Sequence, residues 1–424
     1  MLNLFFTKLK LVFADREIRN RILIVIAALA LFRLLAAVPV PGVNYVRLQE
    51  FFANNQFLGL LNIFSGGGLA NLSIVMLGVA PYINASIIMQ VATMIFPQVK
   101  AAYFEEGEAG RERFIQWSRI LTIPLAFAQG IGFLFLLQNQ GILPHLGLLA
   151  FSANVALVAG GSIILTWIGE LVTEFGIGNG VSLIIFAGIV ASVPSAISHG
   201  LFTATAADIP SYLGFALLAL AMIYAVVVVS DAERPIPIAY ARAVRSSANS
   251  QSAATYLPIR MLQAGVIPII FALSLLLLPQ VALSMIGAVG IPGASAMSLW
   301  YASFIANPWE YGALYFLLVI LFTYFYTAIT FDPDRIADDL QKSGAFVPGV
   351  RPGRETRKYI GSVVNRVTLP GAVFLGLMAI APSIVQGITG IASFLVGGTA
   401  LLIVVQVVLD LVLKIDAQIS LREY

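Results

Sequence analysis

The chain has 424 residues, of which 59% are hydrophobic and only 11% are charged, with a formal net charge of +3. A soluble domain typically carries roughly 25% charged residues. The composition therefore argues against a soluble globular protein and excludes a disordered chain or a coiled coil. There is no cysteine and there are two histidines, so disulfides, thiolate nucleophiles and Cys-based metal sites are also excluded.

Ten apolar runs follow one another along the chain, each about long enough to cross a ~30 Å hydrocarbon layer as a helix. They are Ile22–Val40, Val75–Phe96, Ile120–Leu137, Leu148–Gly169, Val181–Ser198, Tyr212–Val229, Gly265–Ile286, Tyr311–Phe331, Val367–Val385 and Ile391–Leu409. The runs are too long and too uniformly apolar for the ~10-residue alternating strands of a membrane barrel. The first run has no small-x-small cleavage site after it, so we interpret it as a retained span.

Basic residues are distributed unevenly between the segments that join the runs. With a cytoplasmic N-terminus and ten alternating spans, all but two of the 24 Lys and Arg residues fall on the cytoplasmic side. The exceptions are Arg33, inside the first run, and Arg47. The positive-inside rule then predicts a multi-pass protein of the cytoplasmic (inner) membrane with both termini in the cytoplasm.

Two of the cytoplasmic segments, at about 230–263 and 332–366, are much longer than the about 2–8 residues usual between packed helices. Long charged loops on one face indicate a binding surface, and a solvated excursion is the alternative.

The segment Leu58–Asn71 is apolar but too short to span, and Gly66, Gly67 and Gly68 interrupt it. Apolar stretches of 10–14 residues are often re-entrant, and irregular backbone at membrane depth is tolerated where it lines a cavity or is buried in protein. From the residues alone, two interpretations remain open. One is a plain outer loop before a helix kinked near Pro81, and the other is a half-helix folded back into a cavity.

Polar residues inside the runs are few. They are Asn84, Ser86, Gln90, Gln129 and Gln406, and residues of this kind commonly form hydrogen bonds between membrane helices. Arg33 is the lone charge, whereas ion-coupled transporters usually need several ionisable groups in the membrane.

The chain carries no phosphate-binding loop, no H-E-x-x-H and no G-x-S-x-G motif. We therefore expect neither an enzyme nor a cofactor, and energy for any transport would come from a partner or from the membrane potential.

Five motifs occur in order along the chain. They are Gly78–Gln90, Gly176–Gly180 with the following Ser182–Val190, Ala264–Pro268, Phe346–Gly353 and Gly397–Ile403. Together they resemble the motifs of the SecY family of protein-conducting channels, and the resemblance covers essentially the whole chain.

The resemblance implies an all-α polytopic membrane protein with ten transmembrane helices arranged as a clamshell of two pseudo-symmetric five-helix halves. The first half would be residues 1–200, which include a re-entrant plug half-helix at about 60–74. The second half would be residues 201–424, which carry the two long cytoplasmic loops.

The resemblance also implies a pore constriction. Carried over by position, its lining is Val79, Ile83, Ile87, Ile185, Ile189, Ile270 and Ile403. Independently of the resemblance, Val79, Ile83 and Ile87 are spaced i, i+4, i+8 and share one helix face. A ring of branched apolar side chains can exclude water and ions by dewetting and makes no strong contact with a passing polypeptide.

The glycine-broken segment resembles the plug that seals the outer vestibule at rest. Its candidate residues are Asn62, Phe64, Ser65, Gly66, Gly67 and Gly68. The spans that hold Ile87 and Ile270 resemble the two sides of a lateral gate that opens toward lipid. Asn84, Ser86 and Gln129 are candidates for polar contacts across that gate, and ordinary hydrogen bonding between helices explains them equally well.

The two long loops resemble docking sites for the ribosome and the SecA motor ATPase. Arg351 would be the central contact, because a guanidinium pairs in a fork with carboxylates or phosphates. The other docking candidates are Arg354, Arg357, Lys358 and Arg242. The family's basic tip after Tyr240-Ala241-Arg242 is mostly lost here, which weakens any expectation of RNA binding by that loop.

Further implied partners are SecE-like and SecG-like small membrane subunits, unfolded secretory and membrane polypeptides, and lipid. The leading hypothesis is a passive channel for unfolded polypeptide. A secondary transporter built from inverted repeats is the main alternative, and a non-transporting membrane scaffold is the third.

Overall fold

The structure is a computed structural model that describes residues 15–42, 62, 65, 67–69, 71–139, 141–203, 209–240, 255–263, 265, 267–288, 293–389 and 393–420. The helices are α1 Arg16–Ala36, α2 Ala80–Ile95, α3 Pro97–Phe104, α4 Gly107–Asn139, α5 Leu148–Phe175, α6 Gly180–Thr203, α7 Ile209–Asp231, α8 Ile267–Ala288, α9 Ala294–Ala306, α10 Pro308–Thr330, α11 Pro333–Lys342, α12 Arg354–Thr389 and α13 Ser393–Ser420. The strands are β1 Glu233–Tyr240, β2 Thr255–Arg260 and β3 Ala345–Phe346.

Each of the ten apolar runs coincides with a helix, which confirms the expectation of a helical membrane protein. By length and composition, six helices in the described part of the chain can cross a membrane, or seven if the bent pair α2 and α3 counts as one span. The three remaining runs fall on α1, α6 and α8. Helix α1 carries several charges near its start. The apolar stretches of α6 and α8 are shorter, at Gly180–Pro194 and Ile267–Gln280.

The break between α2 and α3 has a local cause in the sequence. Pro97 begins α3 and clashes with helical geometry at the preceding residue, so Phe96 takes an extended conformation. The chain consequently bends by 108° between the two helices.

The chain forms two compact units. The first comprises Met1–Phe215, Leu273–Tyr311 and Pro382–Tyr424, and the second comprises Ala216–Ala272 and Gly312–Ala381. In the first unit α5 packs against α1, α4 and α6, helix α4 packs against α2, and α13 packs against α6.

A small antiparallel sheet in the second unit is an element that the sequence analysis did not foresee. Its strand order is β2-β1-β3, and the β1–β2 register places Glu233 opposite Arg260 and Ile238 opposite Thr255. The sheet belongs to an apolar cluster shared with the start of α12. That cluster contains Ile236, Ile259, Val347, Ile360, Val363 and Val364.

Candidate functional site

Two neighbouring residues of α5 set the start of α2, which carries the predicted pore residues Ile83 and Ile87 and directly follows Val79. The hydroxyl of Ser162 donates a 2.7 Å hydrogen bond to the carbonyl of Gly78. A β-carbon on Gly161 would lie only 2.1 Å from the carbonyl oxygen of Ile74. Because this position has no side chain, the backbone that leads into α2 can pass directly against α5.

The turn between α5 and α6 is equally tight. A β-carbon on Gly180 would lie 1.8 Å from the carbonyl oxygen of Gly169, and Gly178 has a φ of +94°. The Gly180 N–H donates to the hydroxyl of Thr173 at 2.9 Å. These contacts fix where α6, with Ile185 and Ile189, begins.

All seven predicted pore residues are buried, with exposures of at most 8%. Val79, Ile83, Ile87, Ile185, Ile189 and Ile403 lie in the first unit, and Ile270 lies in the second. In the first unit the helix of Ile403 packs against the helix of Ile185 and Ile189. Their role as a pore ring stays a prediction.

The described residues of the predicted plug form hydrogen-bonded turns. The Ser65 hydroxyl donates to the carbonyl of Asn62 at 3.0 Å and accepts from the N–H of Leu69 at 2.9 Å. The Ser73 hydroxyl donates to the carbonyl of Gly68 at 3.0 Å. The candidates Phe64 and Gly66 lie outside the described residues.

The base of this segment is tied to the chain that leaves α1. The N–H of Val40 donates to the carbonyl of Leu72 at 2.8 Å, and the N–H of Ile74 donates to the carbonyl of Val38 at 2.9 Å. Leu69 and Leu72 are buried in an apolar cluster with residues of α4 and α5. The base is therefore anchored by apolar burial as well as by backbone hydrogen bonds.

The turn at Gly67 meets both α1 and α6. Gly67 has a φ of +84°, and a β-carbon there would lie 3.5 Å from Nη1 of Arg33 and 3.6 Å from the carbonyl oxygen of Gly188. Gly188 precedes the predicted pore residue Ile189. The turn at Gly67 thus lies beside α6, next to a residue predicted to line a constriction.

The structure does not join the three predicted lateral-gate residues. Asn84 is buried, while Ser86 and Gln129 are partly exposed. The Ser86 hydroxyl accepts from the side chain of Gln90 at 3.2 Å, within the same helix. In the described part of the chain no hydrogen bond between helices involves these three side chains, and their assignment to a gate stays a prediction.

The predicted docking loop presents its basic side chains to solvent. Arg351, Arg354, Arg357 and Lys358 are all exposed. The loop is held from beneath by Thr356, which is 2% exposed and donates a 2.9 Å hydrogen bond from its hydroxyl to the carbonyl of Arg351. The glycines on either side of Arg351 have φ values of +82° and +93°, a backbone region open mainly to glycine.

Two of the four cations already have partners. Arg357 forms an ion pair with Asp334 at 2.5 Å, and Lys358 one with Glu355 at 3.5 Å. Within the described residues neither Arg351 nor Arg354 forms an ion pair, so their guanidinium donors are available to a partner. The remaining candidate, Arg242, lies outside the described residues.

Sequence reasoning missed Ser162, Gly161 and Thr356 as residues that position the site. Their partners are 84 residues away for Ser162 and 87 for Gly161, so no local pattern marks them. Across the described residues, no group of three or more His, Cys, Asp or Glu side chains could hold a metal ion.

The fold and these residues define a class: a polytopic helical membrane protein in which a glycine-rich turn packs beside buried, branched apolar side chains. The SecY family profile matches residues 73–412. The protein translocase subunit SecY of Mycobacterium tuberculosis is 38% identical over 444 residues, covering 100% of this chain and 99% of the relative. The chain therefore belongs to the SecY family.

Solved structures share the fold. One is a SecY protein whose plug domain is described as stabilising the closed state of the translocation channel, with a TM-score of 0.64 and 20% identity over 92% of this chain and 90% of that one. Another is canine Sec61 from a ribosome–channel complex, with a TM-score of 0.64 and 17% identity over 94% and 92%.

Proposed function

We propose that this chain is the central channel subunit of a protein translocase, which passes unfolded polypeptides across the cytoplasmic membrane and releases transmembrane segments laterally into lipid. One observation carries the proposal: branched apolar side chains at the predicted pore positions are all buried, and a glycine-rich turn rests beside one of the helices that bear them.

The throat works by shape and dewetting. Val79 directly precedes α2 and lies about one turn from Ile83, which lies one turn from Ile87 on α2, and Ile185 and Ile189 lie one turn apart on α6. A narrow ring of such side chains excludes water and ions when empty. Because it offers no polar partner, an extended polypeptide of any sequence passes without being held.

The resting seal is assigned to the turns around Gly67 and Gly68. The base of the segment is bonded to the chain that leaves α1 and packs against α4 and α5, while the turn at Gly67 lies beside α6. A structural relative has a plug domain described as stabilising the closed channel, which supports the same role here.

Orientation and partners follow from the charges. Both termini and the sheet of the second unit would face the cytoplasm, where the basic loops concentrate. Arg351 and Arg354 would contact the motor ATPase or the ribosome, and Arg242 would lie on the neighbouring loop. SecE-like and SecG-like subunits would complete the complex. The two halves of this chain would be residues 1–200 and 201–424.

The chain itself performs no catalytic step in this proposal. The SecY family membership disfavours the alternative of an inverted-repeat transporter. The sparse intramembrane charge agrees, because Arg33 alone does not supply both substrate and coupling-ion sites.

Cysteine cross-linking tests the channel directly, because the chain has no native cysteine. Ile83→Cys or Ile189→Cys is paired with a cysteine in a stalled secretory polypeptide, and a disulfide is expected only when the motor or ribosome is engaged. The neighbours Ile88 and Val190 are 44% and 43% exposed and serve as matched controls that should not cross-link. Absence of cross-links at both buried positions would refute the pore.

A further inference from the structure

Arg33 is a charged residue that the proposed translocation path leaves without a role. It lies inside the first apolar run and is the lone charge in the ten runs. A guanidinium in a membrane span is costly, and such residues generally face a bundle interior or a water-filled cavity and pair with other groups or with backbone carbonyls.

The position of Arg33 in its helix explains why the charge is tolerated. It lies in the last turn of α1, where the negative end of the helix macrodipole favours a cation. The dipole does not determine where the side chain points. The Arg33 side chain points toward the plug turn, since its Nη1 lies 3.5 Å from the place that a Gly67 β-carbon would occupy.

The same point lies 3.6 Å from the carbonyl oxygen of Gly188 on α6. The guanidinium, the plug turn and a pore helix therefore meet where Gly67 has no side chain. A guanidinium has five N–H donors and no acceptor, and turns of positive φ expose backbone carbonyls to such donors. Hydrogen bonds from a charged donor are roughly twice as strong as neutral ones.

From this juxtaposition we propose that Arg33 is a positioning residue that holds the plug turn at Gly67 against α6 and so sets the tightness of the resting seal. The inference rests on the proposed channel function and deepens it. The competing explanation is that Arg33 reaches lipid headgroups and only anchors α1 in the membrane.

Ion conductance of the resting channel separates the two explanations. The chain, purified with its membrane subunits, is placed in planar bilayers without motor, ribosome or precursor. Arg33→Gln should raise the resting conductance about tenfold, because it removes the charged hydrogen-bond donor that lies beside the plug turn. Arg33→Lys should give a smaller rise, since it keeps the charge but loses the planar fork.

Arg21→Gln is the matched control, because it makes the same change on the same helix. Arg21 is exposed and pairs with Glu17 one turn away at 2.9 Å, far from the plug in sequence and near the start of α1. Its resting conductance should equal that of the unmodified chain. A headgroup-anchoring role for Arg33 predicts that Arg33→Gln likewise leaves the conductance unchanged, which would overturn the proposal.

Gly67→Ala supplies the second arm. The added methyl enters the space beside Arg33 and the positive φ strains the turn, so this variant should also raise resting conductance. If the two residues form one contact, the double variant conducts no more than the leakier single variant. Independent, multiplying effects would contradict the proposal. If Arg33→Gln does not assemble, Arg33→Lys takes its place in the same cycle.

The cysteine pairs at Ile83 and Ile189 separate the two levels of inference. Cross-links to an engaged polypeptide together with an unchanged Arg33→Gln conductance refute the role of Arg33 and leave the channel intact. Loss of the cross-links in the unmodified background refutes the channel, and the role of Arg33 falls with it.

Discussion

Two loops of this protein are shaped by glycines with positive φ, and the surroundings of the two loops differ. The plug turn at Gly67 in the first unit is partly exposed, lies beside α6 and is followed by residues buried in an apolar cluster. The loop around Arg351 in the second unit lies on a sheet and turns its guanidinium outward. Glycines of positive φ can therefore form a turn that packs against the protein or one that exposes a side chain to solvent, depending on the residues that flank it.

In both loops a buried hydroxyl stabilises the backbone by hydrogen bonding. Ser65, which is 1% exposed, bonds to backbone atoms on both sides of the plug turn, and Thr356, which is 2% exposed, supports the carbonyl of Arg351. The loops differ in their neighbours, since the plug turn lies beside Arg33 of α1 and Gly188 of α6, whereas the loop around Arg351 lies on the sheet.

The largest expected effect breaks the close packing of α5 against the backbone at the base of the plug. Gly161→Ala places a β-carbon 2.1 Å from the backbone oxygen of Ile74, and because backbone cannot move aside cheaply we expect destabilisation of about 3 kcal/mol or more. Thermal unfolding in detergent measures the change. Gly160→Ala is the control, since nothing lies within 4 Å of its β-carbon, and it should be neutral or slightly stabilising. Equal stability of the two variants would contradict the structure.

The next effect falls on the presented side chain. Arg351→Lys keeps the charge but loses the fork that matches carboxylates and phosphates. With a loss of roughly 1.5 kcal/mol for a charge-assisted hydrogen bond, binding of the motor or ribosome should weaken about tenfold, measured by titration with the purified partner. Arg354→Lys is the matched change, and an equal loss there would show that the loop acts as a diffuse charge instead of a single directed contact.

The last two variants each remove one buried hydroxyl, and each is measured for both resting conductance and docking. Ser65→Ala leaves the buried N–H of Leu69 without its acceptor and should cost about 1–3 kcal/mol, raising resting conductance while docking stays unchanged. Thr356→Val removes one hydroxyl bond worth about 1 kcal/mol and should weaken docking about fivefold while conductance stays unchanged. Thr356→Ser should restore docking. If either variant alters both measurements, the two loops are coupled.

Much of the fold follows from hydrophobicity. Leu148–Gly169 predicted a span, and α5 begins at the same residue because the run is apolar on every face and contains no proline. Val79, Ile83 and Ile87 were placed on one face from their spacing alone, and all three are buried.

The sheet was missed because prolines obscure its pattern. Ile236 and Ile238 alternate in β1, as do Leu257 and Ile259 in β2, but Pro235, Pro237 and Pro258 stand between them. Proline normally argues against a strand. Here the register sets Pro235 opposite Pro258, so two residues without N–H groups share one position of the ladder.

The details of the site depend on contacts distant in sequence. Ser162 reaches Gly78, and Arg33 reaches the plug turn, through packing that no local periodicity encodes. For the same reason the sequence leaves open whether the plug segment is an outer loop or a half-helix, and it does not reveal the backbone bonds to Val38 and Val40.

The proline pair in the sheet has one more consequence. Strand β2 lies at an edge of the described sheet, and an exposed edge is a template on which an extended chain can pair as an added strand. A protein proposed to handle unfolded polypeptides meets such chains continually. Pro258 offers no N–H to a visiting strand, so we expect this edge to resist pairing with an extended chain.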